Sequence, residues 1–354
     1  MKRLRMFALA IPALTVALAG EIMAQPQPRP NDARKLKFAA TDRDQAVAWQ
    51  ESSRRLLFDL MKMSDLVKAD RAGPEGRPGI AFNAETLATQ KADKFTRYDI
   101  EMNSTPTRRI KAILTVPHES GKAPAVVCIH GHGGDRTVVY DPSAIYHGFA
   151  LQLARRSYVT ISTDVGQHQV YEKDRTLMGE RLWDLMRCAS YLATRAEVDP
   201  ARIGCAGLSL GGEMAMWLAA MDTRIQATVS AGYLTTVANM RQGHCPCWEF
   251  PGLTENFDWP DIYSLVAPRA LLCQIGQKET APGGFPVGIA EKAMAEIKPC
   301  YRVLGREQDA RLAVHPGGHE FEDAGAMEFL DRNLRPAGGK PETQGRSPQQ
   351  APLP

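Results

Sequence analysis

The stretch that most constrains the fold is a Gly-x-Ser-x-Gly sequence centred on Ser209. A short apolar segment at 203–206 precedes it, and a helix-like run over 212–221 follows it. A strand that turns sharply into a helix holds the central serine in a strained backbone conformation and lifts its hydroxyl above the sheet. Gly207 and Gly211 suit this geometry because a Cβ at either position would collide across the tight turn. The pattern therefore predicts a nucleophilic serine.

Strand-like and helix-like segments alternate along most of the chain. The predicted strands are 95–102, 109–116, 125–129, 158–163, 202–206, 227–231, 270–275 and 312–315. The predicted helices are 42–63, 143–155, 179–193, 212–221, 287–298 and 321–334. This order indicates an α/β fold, with a mostly parallel central sheet and helices on both faces. The 354 residues, 44% of them apolar, are enough for one large domain, which we assign to 41–335.

The two ends of the chain have the composition of processing and linker segments. Basic residues followed by an apolar run over 6–20 predict a signal peptide over 1–24, so we expect an exported protein, periplasmic or secreted. An uncleaved N-terminal anchor is the alternative. The proline-rich stretch 25–40 reads as a linker, and the Pro, Gly, Gln and Ser content of 336–354 predicts a disordered tail.

Charge and hydropathy exclude two classes of partner. Removal of the signal peptide leaves 40 Lys and Arg against 39 Asp and Glu, and this near-neutrality gives no support to nucleic-acid binding. No later segment approaches the ~20 continuous apolar residues of a membrane span. We therefore expect a soluble mature protein without stable membrane insertion.

Seven cysteines are distributed through the chain. Cys128, Cys205 and Cys273 lie in apolar strand-like segments, where a free thiol behaves as a small hydrophobe. Cys245 and Cys247 are the better candidates for a disulfide in an oxidising compartment. They belong to an irregular segment over 239–265 that is rich in aromatic residues and proline. This insertion either shapes a substrate pocket or packs on the sheet as a buttress.

A serine nucleophile needs hydrogen-bond donors for the oxyanion that forms on its substrate. The glycine-rich turn at 130–134 follows a buried strand, so its backbone amides can face the same point as the amide of Leu210. We predict the amides of His132 and Leu210 as the two donors. A competing interpretation treats His130, His132 and Asp135 as metal ligands, but no third histidine or clustered carboxylate accompanies them. We predict neither a metal nor an organic cofactor.

The general base is expected after the last strand. His319 lies in a Gly-Gly loop before the final helix, whereas His315 ends the strand, so we assign the base to His319.

The acid that orients the base is expected after the penultimate strand, and Glu279 occupies that position. Asp258 and Asp261 in the insertion are rivals, and Glu320 is too near His319 in sequence to orient it easily.

Together these motifs resemble the α/β-hydrolase superfamily, in its secreted bacterial branch similar to acetylxylan esterases and dienelactone hydrolases. The matching segments are 130–134, 181–185, 197–204, 207–212 and 317–321. Dienelactone hydrolases proper use a cysteine nucleophile where this chain has a serine. The acid in such families is usually aspartate, where this chain offers glutamate.

The resemblance implies an exported serine esterase that works through an acyl-enzyme, with acylated carbohydrate such as acetylated plant polysaccharide as substrate. A prolyl-oligopeptidase-like peptidase is one alternative, although 25–94 is far too short for the propeller of those enzymes. A catalytically silent hydrolase fold used for binding is the other, and it would require a broken set of catalytic residues.

Overall fold

The computed structural model describes residues 33–73, 78–119 and 121–335. Its strands are β1 Glu85–Lys91, β2 Phe95–Asn103, β3 Arg109–Pro117, β4 Ala123–Ile129, β5 Val159–Thr163, β6 Val198–Leu208, β7 Ile225–Ala231, β8 Ala270–Gly276 and β9 Ala310–His315. Its α-helices are α1 Arg43–Leu60, α2 Ser64–Arg71, α3 Phe149–Arg155, α4 Leu177–Thr194, α5 Leu210–Met221, α6 Val237–Met240, α7 Leu253–Asn256, α8 Trp259–Ser264, α9 Val287–Val303 and α10 Asp323–Leu334. Short 3₁₀ turns lie at Val138–Tyr140, Pro246–Trp248 and Glu307–Asp309.

The strands form one sheet in the order β1-β2-β3-β5-β4-β6-β7-β8-β9. The pairs from β5 through β9 are parallel, and β1, β2 and β3 join that part in antiparallel pairs. Because the carboxyl ends of parallel strands meet at one edge, the loops after β4, β5, β6, β7, β8 and β9 open on the same side. The predicted mostly parallel sheet is confirmed.

Helices cover both faces of the sheet, as predicted. Alternate residues of β4 show the division: Val127 and Ile129 pack with α1, α4, α5 and α9, whereas Val126 and Cys128 pack with α3 and α10. This two-residue alternation follows from the pleat of a strand. Both faces of the strand are therefore buried, as its continuous apolar sequence indicated.

The boundaries differ from the sequence prediction at positions where the backbone is left-handed. The helix predicted over 42–63 is divided into α1 and α2, and Lys62 has a φ of 58° between them. The helix predicted over 143–155 begins only at Phe149, because His147 and Gly148 have φ values of 50° and 60°. The periodicity of apolar residues in the sequence does not predict where the backbone becomes left-handed. Strand β1 was missed because every residue in it is exposed, so it lacks a buried face.

The aromatic insertion covers α5. All twelve residues of α5 are buried, and Trp217 on it meets Trp259 edge-on with ring centroids 5.9 Å apart. Trp248 packs on Trp259 in the same way at 5.5 Å. The insertion therefore acts as a buttress, while its segment 243–248 also contributes to the cavity described below. Both interpretations of 239–265 hold for different parts of it.

The signal peptide assigned to 1–24, the tail assigned to 336–354 and most of the linker at 25–40 lie outside the described residues. Among the described residues, no helix combines the length and apolar character needed to cross a membrane. All seven cysteines are free thiols. The disulfide considered for Cys245 and Cys247 is therefore not present.

Candidate active site

Ser209 lies at the turn between β6 and α5, with φ 63° and ψ −125°. This is a strained conformation for a residue with a side chain. A Cβ on Gly207 would lie 2.3 Å from the Gly211 carbonyl oxygen, and a Cβ on Gly211 would lie 2.2 Å from the carbonyl oxygen of Ile129. The two glycines are therefore required by the close approach of three backbone segments, which hold the serine at the carboxyl edge of the sheet.

The glycine-rich turn after β4 passes directly beside Ser209. A Cβ on Gly131 would lie 3.0 Å from the Ser209 Cβ. The Gly131 amide donates to the Tyr146 hydroxyl at 2.6 Å, so this donor is already engaged. The next amide along the turn is that of His132, and the amide of Leu210 begins α5. Both predicted oxyanion donors thus belong to segments that adjoin the serine.

His319 and Glu279 are brought together by hydrogen bonds between two neighbouring loops. The amides of Gln277 and Lys278, after β8, donate to the carbonyls of His315, the last residue of β9, and Gly317. His319 Nδ1 then lies 3.0 Å from Glu279 Oε1. A carboxylate only accepts, so Nδ1 carries the proton and Nε2 is left as the acceptor.

The surroundings of this pair fix its orientation. The second carboxylate oxygen of Glu279 accepts from the Phe285 amide at 3.0 Å, and its side chain is 3% exposed. The His319 ring stacks on the Phe285 ring with centroids 5.7 Å apart. Gly232 also approaches this ring closely, because a Cβ there would come 2.9 Å from the imidazole. The imidazole is therefore positioned by Glu279, Phe285 and Gly232.

The rival acids have other partners. Asp261 is paired with Arg34 and accepts from the Phe38 amide. Asp258 accepts from the backbone of α8, whose N-terminus it caps. Glu320 accepts from the Gly318 amide at 3.2 Å.

A cavity of about 540 Å³ joins these residues. Ser209, Leu210, His132, His319 and Glu279 all line it. Among the described residues, the Ser209 hydroxyl makes no hydrogen bond. Catalytic hydrogen bonds are often long in unliganded enzymes and tighten when substrate binds. The site therefore brings a serine hydroxyl, an oriented imidazole and two backbone amides to one cavity.

Glu213 in the first turn of α5 also lines the cavity, and it is buried. Burial raises the pKa of its carboxyl from the ordinary value of 4.5 to about 7, against a smaller opposite effect of the Arg181 charge. A carboxyl whose pKa is higher in the folded than in the unfolded state binds more protons when folded. Its contribution to stability therefore falls as pH rises from about 4.5 to about 7.

The Glu213→Gln variant should lose this pH dependence. Relative to the wild type, we expect the variant to gain up to about 3 kcal/mol of unfolding free energy between pH 5 and pH 8, because the amide never has to ionise. Denaturant unfolding of both proteins at the two pH values measures the gain. An equal difference between variant and wild type at both pH values would contradict the raised pKa.

Sequence reasoning missed a cluster on the same cavity. His132 is joined there by His168, Cys245 and Cys247, whose ligand atoms all lie within 4.8 Å of one another. The earlier grouping with His130 and Asp135 is wrong. The ring of His130 is buried and accepts from the Val165 amide, and Asp135 accepts from Thr137.

Comparisons with known proteins place the chain near ester hydrolases. Residues 83–235 match the family model of acetyl xylan esterase, AXE1. Over 296 residues the chain is 26% identical to YtaP of Bacillus subtilis, a protein assigned as a hydrolase, with 74% of this chain and 95% of that one covered.

Two solved structures have the same fold. One is a Bacteroides fragilis protein assigned as an acetyl xylan esterase, with a TM-score of 0.65, 15% identity, and coverage of 88% of this chain and 89% of that one. The other is a glucuronoyl esterase from Solibacter usitatus, with a TM-score of 0.61, 18% identity, and coverage of 88% and 98%. With the strand–turn–helix geometry at Ser209, these comparisons show that the chain has the α/β-hydrolase fold, is similar to acetyl xylan esterases over residues 83–235, and is a carboxylic ester hydrolase.

Proposed function

We propose that this protein is an exported serine esterase that deacylates carbohydrate, with Ser209 as nucleophile, His319 as general base and Glu279 as the orienting acid. The observation that carries the proposal is the 3.0 Å contact between His319 Nδ1 and Glu279 Oε1, on the cavity that Ser209 also lines. The order serine, acid, histidine along the chain is that of α/β-hydrolases.

The reaction divides into acylation and deacylation. The Ser209 Oγ attacks the ester carbonyl carbon while His319 Nε2 takes the hydroxyl proton. The proton then passes from Nε2 to the departing alcohol as the carbon–oxygen bond breaks, leaving an acyl-serine. In the second half, Nε2 takes a proton from water while the water oxygen attacks the acyl carbon. The bond between that carbon and Ser209 Oγ then breaks, the proton passes from Nε2 to Oγ, and the carboxylic acid leaves.

Charge that develops on the carbonyl oxygen needs donors from the protein. The amides of Leu210 and His132 supply two hydrogen bonds, and the positive end of the α5 dipole points the same way. Loss of one such donor typically raises the barrier by ~3 kcal/mol. The carboxylate of Glu279 stabilises the imidazolium that forms while His319 holds the proton.

Two parts of the proposal, export and the carbohydrate substrate, are supported by observations other than the geometry of the site. The basic and apolar pattern of 1–24 supports export. The acetyl xylan esterase family match over 83–235 supports an acetyl group on a sugar hydroxyl.

A substrate panel tests the proposed activity. We expect release of acetate from acetylated xylan and hydrolysis of short-chain p-nitrophenyl esters, with no hydrolysis of aminoacyl p-nitroanilides. Cleavage of methyl glucuronate esters in preference to acetyl esters would show that the carbohydrate supplies the acid of the ester and not its alcohol. Cleavage of the anilides would favour the prolyl-oligopeptidase-like alternative.

Labelling with a fluorophosphonate separates an active from a silent hydrolase fold. We expect one label per chain, located by peptide mass mapping on Ser209. The Ser52→Ala variant is a matched control, because Ser52 is exposed on α1 and should not change the labelling. A protein that takes no label and cleaves no ester would be a binding protein.

The Glu279→Gln variant is expected to lower kcat by about 10² to 10⁴ with little change in KM. An amide can donate to Nδ1, which favours the wrong tautomer of His319, and it cannot stabilise the imidazolium. Steady-state kinetics on p-nitrophenyl acetate measures the loss. The control is Glu320→Gln, one residue from His319, which should retain most of the activity. If Glu320→Gln lost more activity than Glu279→Gln, the acid would be misassigned.

A further inference from the structure

Four side chains with metal-binding atoms converge beside the proposed oxyanion loop. The Nε2 atom of His132 lies 3.1 Å from the sulfur of Cys247, and the Nε2 atom of His168 lies 3.4 Å from the sulfur of Cys245. All four ligand atoms lie within 4.8 Å of one another. The two imidazole rings are stacked, with centroids 5.4 Å apart and planes inclined by 26°, so their nitrogens reach the thiols together.

The cluster is assembled by the fold from three separate loops. His132 follows β4, His168 follows β5, and the two cysteines belong to the insertion that follows β7. Strands β4 and β5 are neighbours in the parallel part of the sheet, so their following loops open at the same edge. Only the two cysteines are close in sequence, so no short ligand motif in the sequence predicts the cluster.

We propose that His132, His168, Cys245 and Cys247 form a tetrahedral site for one divalent zinc ion. Bonds of about 2.3 Å to sulfur and 2.0–2.1 Å to nitrogen put neighbouring ligand atoms roughly 3.3 to 3.8 Å apart in a tetrahedron. The two measured nitrogen–sulfur separations, 3.1 and 3.4 Å, are close to that range. Two thiolates and two imidazoles are a donor set that zinc favours over calcium or magnesium.

Arg181 on α4 supports two sides of this cluster. Its Nη1 donates to the Cys247 sulfur at 3.4 Å, and its Nη2 donates to the carbonyl of Gln167, the residue before His168. These two hydrogen bonds hold Cys247 next to the loop that supplies His168. Binding of Zn²⁺ forms two sulfur–zinc and two nitrogen–zinc bonds and releases two thiol protons to solvent.

Four protein ligands close the coordination sphere, which is typical of a structural zinc site. The ion would fasten the aromatic insertion to the turn that contains the His132 amide. Because Ser209 lines the same cavity as His132, Cys245 and Cys247, the zinc would fix part of the wall of that cavity. Its role is to position backbone, and Ser209 remains the nucleophile.

Metal binding can be measured without reference to ester hydrolysis. The full-length protein is reduced, stripped with a chelator, and titrated with Co²⁺ and then Zn²⁺. We expect one ion per chain, the visible bands of tetrahedral Co²⁺, and thiolate-to-cobalt charge-transfer absorption in the near ultraviolet. Zn²⁺ should displace the cobalt and abolish both features.

Variants assign the ligands. Cys245→Ser and Cys247→Ser should each weaken Zn²⁺ binding at least about 100-fold, because loss of an outer-shell partner alone costs 10- to 100-fold. His168→Ala should act in the same direction. Cys300→Ala and His118→Gln are matched controls at a buried thiol and an exposed imidazole outside the cluster, and both should bind one ion. Circular dichroism verifies that each variant is folded.

The Ser209→Ala variant separates this proposal from the proposed activity, since it should bind zinc normally while hydrolysing no ester. Three results would overturn the zinc site. They are reduced protein that binds no Co²⁺ or Zn²⁺, a cobalt spectrum without thiolate charge transfer, and unchanged affinity in both cysteine variants. If the isolated protein contains a Cys245–Cys247 disulfide and still binds no metal once that disulfide is reduced, the zinc site is likewise overturned.

Discussion

Replacing Ser209 by alanine is expected to lower kcat by about five to six orders of magnitude, the largest effect of any substitution in this chain. The nucleophile is lost outright, and only the oxyanion donors and substrate positioning remain to accelerate attack by water. We expect KM to change little, because the hydroxyl contributes little to ground-state binding. Active-site-titrated kinetics on p-nitrophenyl acetate measures the effect, with fluorophosphonate labelling as the parallel readout.

The strained backbone at this position provides the control. Ser209→Gly should be as inactive as Ser209→Ala but more stable than it by about 1 kcal/mol, because glycine adopts a φ of 63° without the penalty that a Cβ carries. If either variant retained more than about a hundredth of the wild-type kcat, another group would be the nucleophile.

Replacing Gly211 by alanine is expected to lower the free energy of unfolding by about 3 kcal/mol or more. The added Cβ would meet the Ile129 carbonyl oxygen at 2.2 Å and the His130 carbonyl oxygen at 2.9 Å, and backbone atoms cannot rotate away as a side chain can. Relief requires α5 to separate from the turn after β4. Activity should fall with stability, since that movement also displaces Ser209. Thermal or denaturant unfolding measures the change.

Gly288 in α9 is the matched control for this substitution. A Cβ there has no heavy atom within 4 Å, and alanine favours helix over glycine. Gly288→Ala should therefore leave stability unchanged or raise it slightly. If the two alanine variants were equally stable, the close contact at the serine turn would be absent in solution.

The parts of the fold that sequence could predict are those where burial and periodicity agree. The parallel strands β4 through β8 are largely buried on both faces, and each was predicted within a few residues of its bounds. Strand β1 has no buried face, so nothing in its composition distinguishes it from a loop. The helix breaks at Lys62 and His147 depend on positive φ values at non-glycine residues, which local propensity does not predict.

In the site, the residues that could be predicted are those that follow successive strands in the serine, acid, histidine order of α/β-hydrolases. Ser209, Glu279 and His319 each occupy such a position, and the structure gathers them around one cavity. The proposed zinc ligands could not be predicted in this way, because three loops of unrelated sequence supply them and their separation depends on how the insertion folds. Cys245 and Cys247 did attract attention as a pair, but the sequence suggested a disulfide where the structure has two free thiols.

The edge-on packing of Trp217, Trp248 and Trp259 between α5 and the insertion has a consequence for how substrate enters. A hinged opening of the insertion would bring these rings into water, at about 4 to 6 kcal/mol for each ring of 150–250 Å². A swing that exposed all three would therefore be populated far too rarely to serve each turnover. Ester selectivity should then depend on the fixed shape of the cavity entrance. We expect bulky acyl groups to be excluded sterically before they reach Ser209.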